Sequence, residues 1–341
     1  MKHLLAIAAL TLVSTVAGAE TFVTSSGQGI LSHWDTSNPT TATFNVLINK
    51  GTQGGGQPII YIPRTIDFRP STGVLYGMDS TGLHTINTST GFATLVGPFG
   101  IAMDPISMDF NPQTDEIRVV GTIAGALKNV RVNPNTGAVI ATDSDFTSTN
   151  NPGAPVGVTS ITHVGGPTGP IRLLSLYTFG QLPFQQHTLG EVGSEAGGSA
   201  SFSGGLVTNI GPTGLEQFGL FSVGGFEVSP TTGTVYLVYS IGSGGGRTNR
   251  LGSINLQTGN FSSIAQLGSA GFASNLGLSF VPPSCDGDTN GDNFVDGADL
   301  SVLLSNFGST VVPGTFGDLN DDGVVNGADL SVLLGSFGNG C

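Results

Sequence analysis

The chain has 341 residues, a net charge of −13 and an isoelectric point near 4.4, with 54 glycines and only 10% charged residues. No basic patch or aromatic–basic interleaving is present, which excludes a nucleic-acid binder. The 38% hydrophobic share supplies a core and excludes a disordered chain.

Met1 to Ala19 reads as a signal peptide. Lys2 gives a positive start, Leu4 to Val13 is apolar, and Ala17-Gly18-Ala19 is a small-residue cleavage site. The apolar run is short of the roughly 20 residues a membrane span needs; a buried N-terminal helix is the other reading. No second long apolar stretch follows. The expectation is an exported protein without a membrane span, resident outside the cell, on its surface or in the periplasm.

From Glu20 to Phe280 the sequence repeats weakly. Ile66-Asp67-Phe68-Arg69-Pro70-Ser71-Thr72-Gly73, Met108-Asp109-Phe110-Asn111-Pro112-Gln113-Thr114-Asp115 and Phe226-Glu227-Val228-Ser229-Pro230-Thr231-Thr232-Gly233 share one pattern. Each is followed by a second turn: Asn87 to Gly91, Asn133 to Gly137 and Asn255 to Gly259. Asn, Pro and Thr open such turns, and Gly or Asp takes the left-handed backbone that closes them. The flanking runs, such as Val74 to Tyr76 and Val235 to Tyr239, are β-branched and aromatic and read as strands.

Asp67 and Asp109 lie 42 residues apart, and Asp109 and Glu227 lie 118 apart, close to three such periods. A period near 40 with four strands is the blade of a β-propeller. The fold expected over residues 20–280 is therefore a mainly β propeller of about six blades, with five or seven next and a β-sandwich as the competitor. Its first strands after Glu20 and its last, near Leu276 to Phe280, are expected to share one blade. The stretches Ile106 to Val120 and Val130 to Gly137 resemble the signature of an exported bacterial family, domain-of-unknown-function family 4394. That resemblance supports the fold and implies no reaction.

Val281 to Ser284, with two prolines, reads as a short stiff linker. Residues 285–341 hold nine Asp and no Lys or Arg, so the negative charge concentrates there. Two segments thirty residues apart nearly coincide: Asp288 to Asp299 and Asp318 to Asp329. Each is a twelve-residue loop of the calcium-binding kind. The side-chain ligands expected are Asp288, Asn290, Asp292, Asp296 and Asp299, then Asp318, Asn320, Asp322, Asn326 and Asp329. The position 7 carbonyls are those of Phe294 and Val324, so two calcium ions are expected.

A helix is expected after each loop. Leu300, Leu303, Leu304 and Phe307, and then Leu330, Leu333, Leu334 and Phe337, are spaced to share one apolar face. Cys285 and Cys341 bracket the unit; as an even pair in an exported chain they read as a disulfide, with free thiols or intermolecular links as alternatives.

A duplicated loop with an exit helix and Asp at position 12 resembles the type I dockerin. That resemblance implies calcium-dependent docking onto a cohesin-like or other surface protein. Gly297-Ala298 and Gly327-Ala328 stand where cellulosomal dockerins often carry Ser or Thr. Calcium binding therefore carries over, and cohesin binding of that kind does not.

The function expected is binding or presentation by a propeller attached to a docking module. The alternatives are a polysaccharide-degrading hydrolase or lyase, or a structural surface protein. An enzyme would use Asp67, Asp109 and Glu227, which recur once per unit and otherwise read as acids that orient a blade turn. His33, His84, His163 and His187 are scattered and read as packing or surface residues.

Overall fold

The computed structural model describes residues 20–149, 151–166, 170–179, 186–193, 202–215, 220–242, 248–268, 275–282, 286–289, 295–311, 316–320 and 322–338. The strands between Thr21 and Phe280 form five blades arranged as a ring, antiparallel except where Thr147–Ser148 runs parallel to Leu206–Pro212. The second blade is Thr65–Phe68, Leu75–Asp79, Gly82–Ile86 and Ala93–Gly97. The third is Asp104–Phe110, Ile117–Ile123, Ala126–Val132 and Val139–Thr142. The fourth is Gly157–Val164, Arg172–Phe179, Gln186–Val192 and Leu206–Pro212, with Thr147–Ser148 and Asn151–Pro155 added at its outer edge. The fifth is Leu220–Val228, Val235–Ile241, Thr248–Ile254 and Phe261–Gln266.

The first blade is composite. Thr21–Ser26, Ile30–Asp35 and Phe44–Leu47 come from the start of the ring, and Asn275–Phe280 from its end. Phe22 pairs with Phe280, Val23 with Ser279 and Thr24 with Leu278, so the closure expected from the sequence is present. A two-stranded ribbon, Asn49–Thr52 with Pro58–Ile60, sits between the first and second blades.

The blade count corrects the sequence reading from about six to five. The interval from Asp109 to Glu227 holds two blade repeats, not three, because the fourth blade is enlarged by its two extra strands. Length divided by period overcounts when one repeat carries an insertion.

The strands read as long apolar runs because both faces are covered. Successive residues on a strand point to opposite faces, and here each face meets a neighbouring blade. Leu173 packs in the cluster shared with the third blade, and Leu174 in the one shared with the fifth. Phe22 and Val23, Val119 and Val120, and Leu237 and Val238 divide between adjacent clusters in the same way. The result is one apolar seam at each blade boundary.

The turns follow the sequence logic. Gly73, Asp115 and Gly233 close the first turns at φ 64°, 56° and 66°, and Gly91, Gly137 and Gly259 close the second turns at φ 71°, 72° and 78°. Asn133 Oδ1 accepts from the Asn135 N–H at 2.8 Å, and Asn255 Oδ1 from the Gln257 N–H at 2.9 Å, so the Asn side chains shape the turns they open.

Beyond the ring, the described residues hold two helices, α1 (Gly297–Ser305) and α2 (Gly327–Ser336). Asp296 and Asn326 cap them, each in a reciprocal box with Asp299 or Asp329. Val295, Leu303, Val325 and Leu333 form their small core. The expectation of one four-residue apolar face per helix needs correction. Leu303 and Leu333 are buried, but Leu304, Phe307, Leu334 and Phe337 are 45–55% exposed. Two short helices touching along one line cover only the side on which each meets the other. Cys285 and Cys341, and with them the expected disulfide, lie outside the described residues.

Candidate functional site

The innermost strands of the five blades touch in a closed cycle. Each brings one polar side chain to the axis, set between two apolar neighbours in every blade but the fourth, where Ile161 and His163 flank it. In ring order the polar residues are Ser279, Asp67, Asp109, Thr162 and Glu227. Where five inner strands converge there is room for one side chain from each, and alternation along the strand fixes which one it is.

The polar residues stitch neighbouring blades together. Asp67 Oδ2 accepts from the Phe110 N–H of the third blade at 2.8 Å. Asp109 Oδ2 accepts from the His163 N–H of the fourth at 2.7 Å. Ser279 Oγ accepts from the Phe68 N–H at 3.1 Å and donates to Asp67 Oδ1 at 2.8 Å. Thr162 Oγ1 donates to Glu227 Oε1 at 3.0 Å. The sequence reading assigned the acids to their own blade's turn; in the structure Asp67 and Asp109 bond the next blade's inner strand.

The three acids converge. Asp67, Asp109 and Glu227 each offer a carboxylate oxygen within 4.8 Å of the others. Asp67 and Asp109 are 6% and 4% exposed. The Glu227 carboxylate is enclosed with them, although the residue as a whole keeps some exposure. Among the described residues no Lys or Arg forms an ion pair with any of the three. Burial pushes the Asp109 carboxyl up to about 8, against the His163 N–H, which favours its ionised form. Burial, then the charge of Asp109, raises Asp67 well above the ordinary carboxylate range. Burial, then the charges of Asp109 and Asp67, does the same to Glu227.

His163 joins this cluster, which its isolated place in the sequence did not announce. Its Nδ1 contacts Asp109 Oδ2, and its Nε2 is buried without a partner. Burial, then the Arg118 guanidinium, lowers it to about 3, so the ring is neutral. Arg118 is itself committed to Asp143 at 3.0 Å and Asn129 at 2.7 Å. Thr162 and Ser279 were also missed, because the sequence pattern sought an acid at that place.

In the C-terminal unit the second loop is described almost throughout. Asp318 Oδ2 accepts from the Gly323 N–H at 2.8 Å, and Asp322 Oδ1 from the Val324 N–H at 2.9 Å. Asp329, fully buried, accepts from the Leu319 and Asn320 N–H groups through one oxygen and from Asn326 through the other. Burial opposes its ionisation, but these N–H groups hold it below the usual carboxylate range. Asp299 repeats the arrangement with Thr289 at 2.8 Å and Asp296 at 2.9 Å. Asn290, Asp292 and Phe294 lie outside the described residues.

The two halves clasp each other. The Gly308 N–H donates to the Val325 carbonyl and the Gly338 N–H to the Val295 carbonyl, both at 2.7 Å. The backbone after each helix is thus tied to position 8 of the other loop. The donor set is all oxygen, without a Lys or Arg to neutralise it, which fits a hard cation.

The chain belongs to the family described as Domain of unknown function (DUF4394), whose model matches residues 31–276. No curated protein matches it. Among solved structures it is similar to the Dos1 propeller, at 11% identity and a TM-score of 0.36, covering 73% of this chain and 59% of that one. It is also similar to the Kuenenia stuttgartiensis hydrazine synthase, at 11% identity and a TM-score of 0.36, covering 69% of this chain and 60% of that one. A third is a quinonprotein alcohol dehydrogenase-like protein from Bacteroides thetaiotaomicron, at 10% identity and a TM-score of 0.34, covering 74% of this chain and 54% of that one. The chain spans between half and three-fifths of the length of these three proteins.

Proposed function

We propose that this is an exported binding or presentation protein whose five-bladed ring is attached to a calcium-dependent docking module of the dockerin type. The observation that carries the reading is the reciprocal clasp between the two loop–helix halves, Gly308 to Val325 and Gly338 to Val295. It makes one unit of two acidic loops that otherwise repel. The ligands in this reading are Asp288, Asn290, Asp292, Asp296, Asp299 and the Phe294 carbonyl for one ion. Asp318, Asn320, Asp322, Asn326, Asp329 and the Val324 carbonyl hold the other. The partner is a cohesin-like or other surface protein.

Calorimetry on the full chain tests it. Two calcium ions per chain are expected, with one lost in Asp299→Ala and one in Asp329→Ala. Absence of a calcium-dependent heat refutes the reading, and capture of surface proteins by the full chain with and without calcium then tests the docking step.

The convergence of Asp67, Asp109 and Glu227 favours a second reading, a glycosidic-bond-cleaving enzyme. Such chemistry needs two carboxyl groups roughly 5 Å or more apart that flank the scissile bond. These acids instead face one another, and Asp67 and Asp109 hold the backbone of neighbouring blades. Their arrangement serves the ring better than a substrate.

A further inference from the structure

We infer that the axis of the ring is closed by protons shared among the Asp67, Asp109 and Glu227 carboxyls, so that alkali, by removing them, loosens the contact between blades. The first observation is geometric. Three carboxylate oxygens lie within 4.8 Å of one another at the point where the inner strands meet. All three side chains are enclosed, and no Lys or Arg is ion-paired with them among the described residues. Buried carboxylates this close, without a cation between them, are relieved by keeping a proton.

The second observation is the neighbouring imidazole. His163 Nε2 is buried without a partner, whereas an imidazolium would need one, so His163 stays neutral and brings no positive charge. The inner strand of the fourth blade presents Thr162 and His163, and that of the first blade presents Ser279. Across the sheets from the acids stand Tyr76, Arg118 and Tyr236. Arg118 is paired with Asp143.

The sign follows from linkage. In the unfolded chain the three carboxyls release their protons near pH 4. In the folded ring Asp109 keeps its proton to about 8, and Asp67 and Glu227 are also raised. Between those limits the folded state binds more protons, so stability is greatest at low pH and falls as pH rises. Lowered His33, His84 and His163 act in the opposite sense, but only below about pH 6.5. The lowered carboxyls of Asp79, Asp115 and Asp143 act only below about pH 4. The window from about pH 6.5 to about pH 9 therefore reports the axial acids.

Trp34 is the single tryptophan and is buried in the first blade, so its fluorescence follows the ring and not the C-terminal unit. The full chain is melted in chelator at pH 6.5, 7.5 and 9, as wild type and as Asp109→Asn, whose amide oxygen still accepts from the His163 N–H. Wild type should lose about 5 °C or more across the window, and Asp109→Asn should show a clearly shallower profile and melt above wild type at pH 9. Parallel profiles overturn the inference. So does a divalent cation that, in place of chelator, restores the wild-type melt at pH 9 but leaves Asp109→Asn unchanged, since the axis then holds a cation. Should Asp109→Asn fail to fold, infrared spectroscopy of wild type at pH 7 decides: a protonated-carboxyl band supports the inference, and its absence overturns it.

Discussion

Replacing glycine by alanine at two matched turns separates backbone strain from contact between blades. Gly73 and Gly137 both donate to the carbonyl four residues back at 2.9 Å and have φ of 64° and 72°. An alanine at either position bears the left-handed strain of about 1–2 kcal/mol. At Gly73 a Cβ meets nothing within 4 Å, so that strain is the whole effect. At Gly137 it lands 2.7 Å from the Gly97 carbonyl carbon, on backbone that cannot rotate away. Moving the two blades apart adds about 1–3 kcal/mol, the usual range for overpacking. Gly137→Ala should therefore cost about 2–5 kcal/mol and Gly73→Ala about 1–2 kcal/mol. Asp115 is the natural control: it fills the slot of Gly73 in the third blade, without being glycine, at φ 56°. Urea unfolding followed by Trp34 fluorescence gives both values. Equal losses, within about 0.5 kcal/mol, would refute the claim that the second turns are glycine for blade packing.

Leu333→Ala removes one of four fully buried side chains from the C-terminal core and should cost that unit about 2–5 kcal/mol, seen as lost helix by circular dichroism with the Trp34 melt unchanged. Asp329→Ala strips three backbone N–H groups of their acceptor and should lower helix content even in chelator. Exposed Asp322→Ala should do so only when calcium is present. If the two variants behave alike in chelator, the stapling role of Asp329 is wrong. Arg118→Ala removes one of the two guanidinium partners of buried Asp143 and should cost about 3–5 kcal/mol in urea unfolding. The lower end is expected because Asp143 keeps Arg131 at 3.0 Å.

Local features of the fold were legible because they are written in consecutive residues. The six turns expected from Asn, Pro, Thr and Gly all close as read, including the one that uses Asp115. The pairing of the chain ends in one blade was also foreseeable from the repeat. Blade number was not, because an enlarged blade and two ordinary ones have similar lengths. The axial site was half legible. Asp67, Asp109 and Glu227 stood out as a recurring acid, but Thr162 and Ser279 fill the same slot with a hydroxyl. His163 reaches Asp109 from a different blade, a contact that no spacing along the chain encodes. In the C-terminal unit periodicity marked the helices correctly, yet it did not say how much of each apolar face finds a partner. Leu304 and Leu334 remain outside because that depends on the crossing of two helices.

The composite first blade also has a mechanical meaning. Phe280 is paired with Phe22, and the Val281 N–H donates to the Thr21 carbonyl at 2.9 Å, so the strand that completes the ring leads directly toward the C-terminal unit. Tension applied through an anchored C-terminal unit enters the ring at this strand. It acts first on the Val281–Thr21 bond and then on the Phe280–Phe22 pair, as in opening a zipper from its free end. The ring's resistance to pulling is therefore set by a handful of residues in one seam, and a protein tethered this way would yield at its closure while the other four blades were still intact.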